Sequence, residues 1–157
     1  MEFKLNTNKL PLDSKWILRF LYLADHVSTW SKDPSSKIGA VIARDKNIIS
    51  VGYNGFPPQI ADTAKRLTNR NSKYLRTIHA ELNAIKFARG NTEGAAIYCN
   101  VPPCHDCAKH IISHNIKYVY AWEPSEDLKQ RWQESFATSE VLFEEAGVEY
   151  FIVERNK

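Results

Sequence analysis

The chain has 157 residues, of which 43% are hydrophobic and 25% charged, and its formal net charge is +3. This composition is ordinary for a soluble globular protein, and a single domain spanning residues 1–157 is the simplest interpretation of the length. No apolar run approaches the roughly 20 consecutive residues that a membrane span needs. A net charge of +3 is too small for the dense basic surface of a protein that binds duplex nucleic acid.

Apolar periodicity and turn residues predict elements in the order αββαβαβαβ. The predicted helices cover residues 15–30, 79–88, 104–114 and 126–146, and the predicted strands cover residues 38–43, 48–53, 95–101, 117–122 and 148–153. Residues 56–78 form a polar connection without clear periodicity. Alternation of strands and helices predicts an α/β fold: a three-layer α/β/α sandwich around a five-stranded mixed sheet, whose later strands are joined by right-handed crossover helices.

Two expectations concern the ends of the chain. Residues 1–10 lack the apolar core of a signal peptide, so we expect no secretion and a cytoplasmic protein. In the last predicted helix, Trp132, Phe136 and Phe143 recur at helical spacing, so we expect them to face the core, with a subunit interface as the alternative.

The most informative motif is His79-Ala80-Glu81, followed later by Cys104-His105-Asp106-Cys107 with Pro103 in front. One imidazole and two thiolates supply three ligands for zinc and leave a fourth tetrahedral position open, as in catalytic zinc sites. Both segments fall at predicted helix starts, where the partial positive charge favours thiolates. We therefore expect His79, Cys104 and Cys107 to bind one zinc ion. The odd number of cysteines and a reducing cytoplasm agree with thiolate ligands.

Glu81 is the expected proton carrier of this site. Zinc lowers the pKa of a bound water from about 15.7 to about 7, and a nearby carboxylate that does not bind the metal can accept the proton. It can then carry protons from the water to a ring nitrogen and to a leaving amine. The pattern H-x-E followed by P-C-x-x-C is the signature of zinc deaminases that act on nucleobases.

A structural zinc site is the alternative interpretation of the same ligands. It needs a fourth protein ligand, for which the candidates are Cys99, His105, His110 and His114. Cys99 is expected inside a strand as a small core residue, and His110 and His114 on a helix surface. Glu81 and Pro103 would be coincidences in a structural site, so the catalytic interpretation is preferred.

Four segments resemble the deoxycytidylate (dCMP) deaminase branch of the zinc-dependent cytidine deaminase superfamily. They are residues 31–34 (Ser-Lys-Asp-Pro), 52–55 (Gly-Tyr-Asn-Gly), 79–85 and 103–109. The resemblance runs from about residue 15 to the final strand. It implies hydrolytic deamination of dCMP to dUMP, which supplies thymidylate synthesis, with Glu81 as the proton shuttle.

The same resemblance implies three contacts to the substrate. The backbone amide of Ala80 would hold the pyrimidine carbonyl, and the backbone carbonyl of Pro102 would receive the departing amine. Asn54 would bond the sugar hydroxyl, although Asn-Gly is also a plain turn sequence.

A substrate phosphate needs cationic or amide partners, and Lys32, Ser36 and Lys37 after the first helix are the candidates. A second basic cluster lies in the connection and consists of Lys65, Arg66, Arg70, Lys73 and Arg76. A solvated surface is the default interpretation of this cluster, and the alternatives are phosphate binding or a subunit interface.

Relatives with the Gly-Tyr-Asn-Gly segment are often activated by dCTP, inhibited by dTTP and assembled as hexamers. The resemblance therefore makes Gly52, Tyr53, Asn54 and Gly55 candidate effector residues, with Mg²⁺ accompanying dCTP, and favours a homo-oligomer, in particular a hexamer. The connection at 56–78 contains no cysteine or histidine, which excludes the second zinc site of some relatives. One zinc ion per chain is expected.

Other functions remain open at this point. The substrate could be another cytosine compound, namely cytidine, dCTP or a 5-modified dCMP. A base within tRNA or single-stranded DNA would call for a basic channel and stacking aromatics, for which Tyr74, Trp122 and Trp132 are candidates, but the small net charge argues against nucleic acid. A non-catalytic nucleotide-binding regulator has no need to retain His79, Glu81 and both cysteines.

Overall fold

A computed structural model describes residues 12–155, so the expectation about residues 1–10 lies outside it. The helices are α1 (Ser14–Ser28), α2 (Ala64–Thr68), α3 (Arg70–Tyr74), α4 (Ala80–Phe87), α5 (His105–Ser113), α6 (Glu126–Arg131) and α7 (Gln133–Ala146). The strands are β1 (Gly39–Arg44), β2 (Asn47–Tyr53), β3 (Ala96–Cys99), β4 (Tyr118–Trp122) and β5 (Glu149–Val153). None of the helices in this range is long and apolar enough to cross a membrane.

The strands form one mixed sheet in the order β2-β1-β3-β4-β5. Strand β1 is antiparallel to β2 and β3, whereas β3, β4 and β5 run parallel. Alternate residues of β1 belong to different cores: Val41 packs with α1, and Ile42 packs with α4, α5 and α7. Because successive strand residues point to opposite faces, helices cover both faces of the sheet. The predicted α/β/α sandwich with a five-stranded mixed sheet is confirmed.

The connection at 56–78 contains structure that the sequence did not predict. Helices α2 and α3 begin at capping side chains, with Thr63 accepting from the Arg66 N–H and Asn69 from the Ser72 N–H at 2.9 Å. Each helix has only five residues, which is too short for an apolar period to be recognised.

The last predicted helix is divided in two at Trp132, whose φ of −115° and ψ of 18° depart from helical values. Trp132 is exposed and Phe136 is half-buried, whereas Phe143 lies in the core. The expectation that all three aromatic residues face the core is therefore correct for Phe143 and wrong for Trp132.

Candidate active site

The three predicted metal ligands lie at two helix starts and meet in space. His79 immediately precedes α4, Cys104 immediately precedes α5, and Cys107 is in the first turn of α5. The His79 Nδ1 lies 3.2 Å from the Cys107 Sγ and 3.5 Å from the Cys104 Sγ. All three donor atoms fall within 4.8 Å of one another.

This geometry fits zinc. Tetrahedral zinc with bonds of about 2.0 to 2.3 Å requires its donor atoms to be roughly 3.5 Å apart. Among residues 12–155, His79, Cys104 and Cys107 are the group of such side chains that is close enough to hold a metal. This group does not include the candidate fourth ligands Cys99, His105, His110 and His114.

The three predicted ligands share protons through hydrogen bonds with one another, and this shifts their pKa values. Hydrogen bonding from the Cys107 thiol, assisted by His79, lowers the pKa of Cys104 to about 4. The bond to Cys104 raises the pKa of His79 to about 9, and the pKa of Cys107 is raised because its thiol donates to Cys104. Metal binding must therefore displace protons from His79 and Cys107, which links affinity to pH.

Glu81 lies beside this group in the first turn of α4 and is only 4% exposed. Burial raises the pKa of its carboxyl group above the ordinary range. A carboxyl group whose pKa is shifted toward neutrality is suited to accept and return protons. The environment of Glu81 thus agrees with the role predicted for it.

Two of the predicted substrate contacts adjoin the metal ligands. Ala80 is the first residue of α4, so its N–H has no acceptor within the helix. Pro102 is buried two residues before Cys104. Both residues are therefore next to the metal ligands in the chain, and their contacts to a substrate stay a prediction.

Asn54 already has partners in the protein. Its Oδ1 accepts from the Ile38 N–H at 2.9 Å, and its Nδ2 donates to the Ser36 carbonyl at 2.8 Å. These bonds tie the end of β2 to the loop after α1. Asn54 also lines a pocket of about 140 Å³ together with Trp30 and Tyr53. One amide N–H is the donor left for a sugar hydroxyl.

The Gly-Tyr-Asn-Gly segment forms hydrogen bonds with α4 and with the residue Ile78 before it. Gly55 exchanges backbone hydrogen bonds with Ile78, which immediately precedes the ligand His79. The Asn83 amide donates to the Tyr53 carbonyl at 2.8 Å. The segment therefore lies against the start of α4 and against the residue that precedes His79.

The three candidate phosphate ligands have partners or constraints of their own. Lys32 forms an exposed ion pair with Asp62 at 2.9 Å, and the Lys37 ammonium donates to the Ser31 carbonyl. The backbone N–H of Ser36 donates to the Asp33 carboxylate at 3.0 Å. A phosphate would have to compete for these groups.

The residues of the basic cluster in the connection lie in different surroundings, and Arg70 donates to the Tyr74 hydroxyl. Lys73 is only 7% exposed and forms an ion pair with Asp33 at 3.0 Å, so a solvated surface is the wrong interpretation for this residue. Lys65, Arg66 and Arg76 instead line an open pocket of about 400 Å³ beside α2 and α3, and no acidic side chain lines it. The sequence does not predict the pairing of Asp33 with Lys73, because the two residues are 40 positions apart.

Trp122, one of the aromatic candidates for nucleic-acid stacking, is buried, and its indole N–H donates to Asp25 at 3.0 Å. It is unavailable to a base. Tyr74 and Trp132 are exposed, but Trp132 lies at the α6–α7 junction.

Comparison with known proteins gives the same class as the site. The family described as "Cytidine and deoxycytidylate deaminase zinc-binding region" matches residues 14–123. Deoxycytidylate deaminase of Mus musculus is 36% identical over 143 residues, covering 87% of this chain and 78% of that protein. An uncharacterized deaminase of Aliivibrio fischeri is 46% identical over 136 residues, covering 87% and 92%.

Among solved structures, the dCMP deaminase from the cyanophage S-TIM5 in complex with dCMP and dUMP superposes with a TM-score of 0.71. It shares 22% identity and covers 90% of this chain and 99% of that one, which supports the fold. A deaminase fold with a His/Cys/Cys group and a buried glutamate defines an enzyme of the zinc-dependent deaminase class. The chain belongs to the cytidine and deoxycytidylate deaminase family, and the resemblance to its deoxycytidylate branch is confirmed.

Proposed function

We propose that this chain is a cytoplasmic, single-domain enzyme that hydrolyses dCMP to dUMP and ammonia and thereby supplies thymidylate synthesis. The observation that carries the proposal is the convergence of His79, Cys104 and Cys107 beside the buried Glu81. Relatives named deoxycytidylate deaminase support dCMP over other cytosine compounds as the substrate.

The residues divide the chemistry among them. His79, Cys104 and Cys107 would hold one zinc ion, which when bound supplies the Lewis acid that makes water nucleophilic at neutral pH. Glu81 takes one proton of the attacking water and delivers it to ring N3, and it then takes the second proton, from the added hydroxyl group, and delivers it to the departing amine as the C4–N bond breaks. The Ala80 N–H holds the pyrimidine carbonyl, and the Pro102 carbonyl accepts from the leaving ammonia.

Replacing Glu81 tests the proton shuttle. Because glutamine retains the shape but cannot carry the proton, Glu81→Gln should lower kcat by about 100-fold or more while zinc content stays near one per chain. The measurements are the rate of ammonia release and metal analysis. The matched control is Glu145→Gln, which alters an exposed carboxylate on α7 and should leave both unchanged. Full activity of Glu81→Gln would contradict the mechanism.

A substrate panel tests the specificity. It consists of cytidine, deoxycytidine, CMP, dCMP, dCTP and 5-methyl-dCMP. The highest kcat/KM is expected for dCMP; turnover of nucleosides but not of dCMP would disprove the substrate assignment and leave the mechanism intact. One zinc per chain with no turnover of any cytosine or adenine compound would instead favour a non-catalytic nucleotide-binding regulator.

We further propose regulation by dCTP as activator and dTTP as inhibitor in a homo-oligomer, with a hexamer favoured. Tyr53 of the Gly-Tyr-Asn-Gly segment supports this proposal, because its ring is exposed and lies 6.1 Å from the exposed Trp30 ring, so the two offer an aromatic surface to a nucleotide base. Mg²⁺ would arrive with the dCTP phosphates. Light scattering and dCMP saturation curves, each with and without the two nucleotides, test both parts.

A further inference from the structure

Helix α7 contacts both sides of the metal ligand Cys104. The hydroxyl of Ser139, which is fully buried, donates to the Pro103 carbonyl at 3.0 Å. One turn earlier, the hydroxyl of Ser135 accepts from the His105 N–H at 3.0 Å. Pro103 and His105 are the residues on either side of Cys104.

The sequence spacing explains why the two serines act together. Positions four apart share one face of a helix, so Ser135 and Ser139 present their hydroxyls to the same segment. They hold it at two points, one before and one after the ligand. We refer to this pair of serines as the α7 clamp.

The His105 N–H and the Pro103 carbonyl depend on the clamp for their hydrogen bonds. The His105 N–H is the first of α5 and therefore has no acceptor within the helix, and the Cys104 Sγ already accepts from the Cys107 N–H at 3.4 Å. The Ser139 hydroxyl also lies 3.1 Å from the Ser135 carbonyl of its own helix. Loss of the Ser139 hydroxyl therefore leaves the buried Pro103 carbonyl without this donor, which lowers the stability of the folded protein.

We propose that the α7 clamp positions Cys104 for the metal and thereby slows the release of zinc. Ser135 and Ser139 are positioning residues, since they act on Cys104 through its neighbours. The inference rests on the zinc site proposed above. Groups that orient metal ligands commonly change metal affinity by about 10- to 100-fold when they are removed.

The test measures zinc release from the holoenzyme to an excess of a chromophoric chelator. Ser139→Ala and Ser135→Ala should release zinc about 10- to 100-fold faster than the parent. Ser135→Thr keeps the hydroxyl oxygen and should therefore release zinc as slowly as the parent. Thr138→Ala is the matched control, because the exposed Thr138 hydroxyl donates to the Glu134 carbonyl of its own helix and not to the segment around Cys104.

Thermal unfolding of the zinc-free and zinc-loaded proteins separates positioning from ordinary stabilisation. Parent-like release by both alanine variants, with an equal loss of stability in the two forms, would overturn the clamp. If Ser139→Ala does not fold, Ser135→Ala and Ser135→Thr decide the question, since Ser135 is only half-buried. A parent protein that binds no zinc would overturn the metal site and the clamp together, whereas a zinc-loaded parent with unaffected variants would overturn the clamp alone.

Discussion

The two glycines of the Gly-Tyr-Asn-Gly segment differ in what surrounds them. A Cβ atom on Gly52 would lie 2.4 Å from the Ala84 nitrogen and 2.5 Å from the Ala80 carbonyl oxygen, both in α4. A Cβ atom on Gly55 would meet nothing within 4 Å. The absence of a side chain at Gly52 therefore lets β2 pass directly against α4, the helix that carries Ala80 and Glu81.

Gly52→Ala should reduce the free energy of unfolding by about 1 to 3 kcal/mol, because the added methyl group meets backbone atoms that can move only with α4. Gly55→Ala is the matched control in the same segment and should change it by less than about 0.5 kcal/mol. Urea denaturation measures both. Equal stability of the two variants would show that α4 yields freely to the methyl group.

Between elements, Asp33 joins the loop after α1 to α3. Its carboxylate accepts from the N–H groups of Ser35 at 2.9 Å and Ser36 at 3.0 Å, and from the Lys73 ammonium at 3.0 Å. Burial acts to raise the pKa of Asp33, but the N–H groups of Ser36 and Ser35 together with Lys73 outweigh burial and hold the pKa below its ordinary value.

Asp33→Asn should destabilise the protein by about 3 kcal/mol at pH 7, because it leaves the buried Lys73 ammonium without its counter-ion. The pKa of Asp33 is lower in the folded than in the unfolded protein, so its stabilisation is present above the unfolded value and disappears as the pH falls through the folded one. The difference between parent and variant should therefore be full at pH 7 and shrink below about pH 4.

Urea denaturation at pH 7, 5 and 3 measures this dependence. Asp127→Asn is the control, because Asp127 forms an exposed ion pair with Arg131 that should contribute little. A difference between parent and Asp33→Asn that persists undiminished at pH 3 would show that the carboxylate charge is not its source.

At the scale of the whole molecule, the predicted metal site brings together the starts of α4 and α5, which strand β3 separates in the chain. Helix α4 precedes β3 and α5 follows it, so His79 and the two cysteines are linked through a complete strand and its connections. A metal bound by both helix starts stabilises only the folded arrangement, since the ligands are apart in the unfolded chain.

Removal of zinc should therefore lower the midpoint of thermal unfolding. A ligand present at 1,000 times its dissociation constant stabilises a folded protein by about 4 kcal/mol. Cys107→Ser should remove both the bound zinc and the effect of a chelator on the midpoint. His110→Ala, which alters an exposed histidine outside the His79 group, should keep both. A midpoint that is insensitive to chelator in the zinc-loaded parent would contradict the stabilising role.

Much of the candidate site was predictable because its signals are local. Two short patterns, H-x-E and C-x-x-C, identify His79, Glu81, Cys104 and Cys107, and the apolar periods around them predict the helix starts on which they lie. The segments without strong periods were less predictable. The helices of the 56–78 connection are too short to show a period, and the break at Trp132 carries no proline or glycine signal.

Sequence patterns alone predict the ligand set and the proton carrier, and they correctly predict the order of the five strands and of the longer helices, because each signal depends on residues close together in the chain. Only the tertiary structure decided that Lys73 is buried against Asp33, that Gly52 faces α4, and that Ser139 reaches the Pro103 carbonyl. Those contacts join residues 28 to 40 positions apart, so they depend on how whole elements pack, which local patterns do not specify.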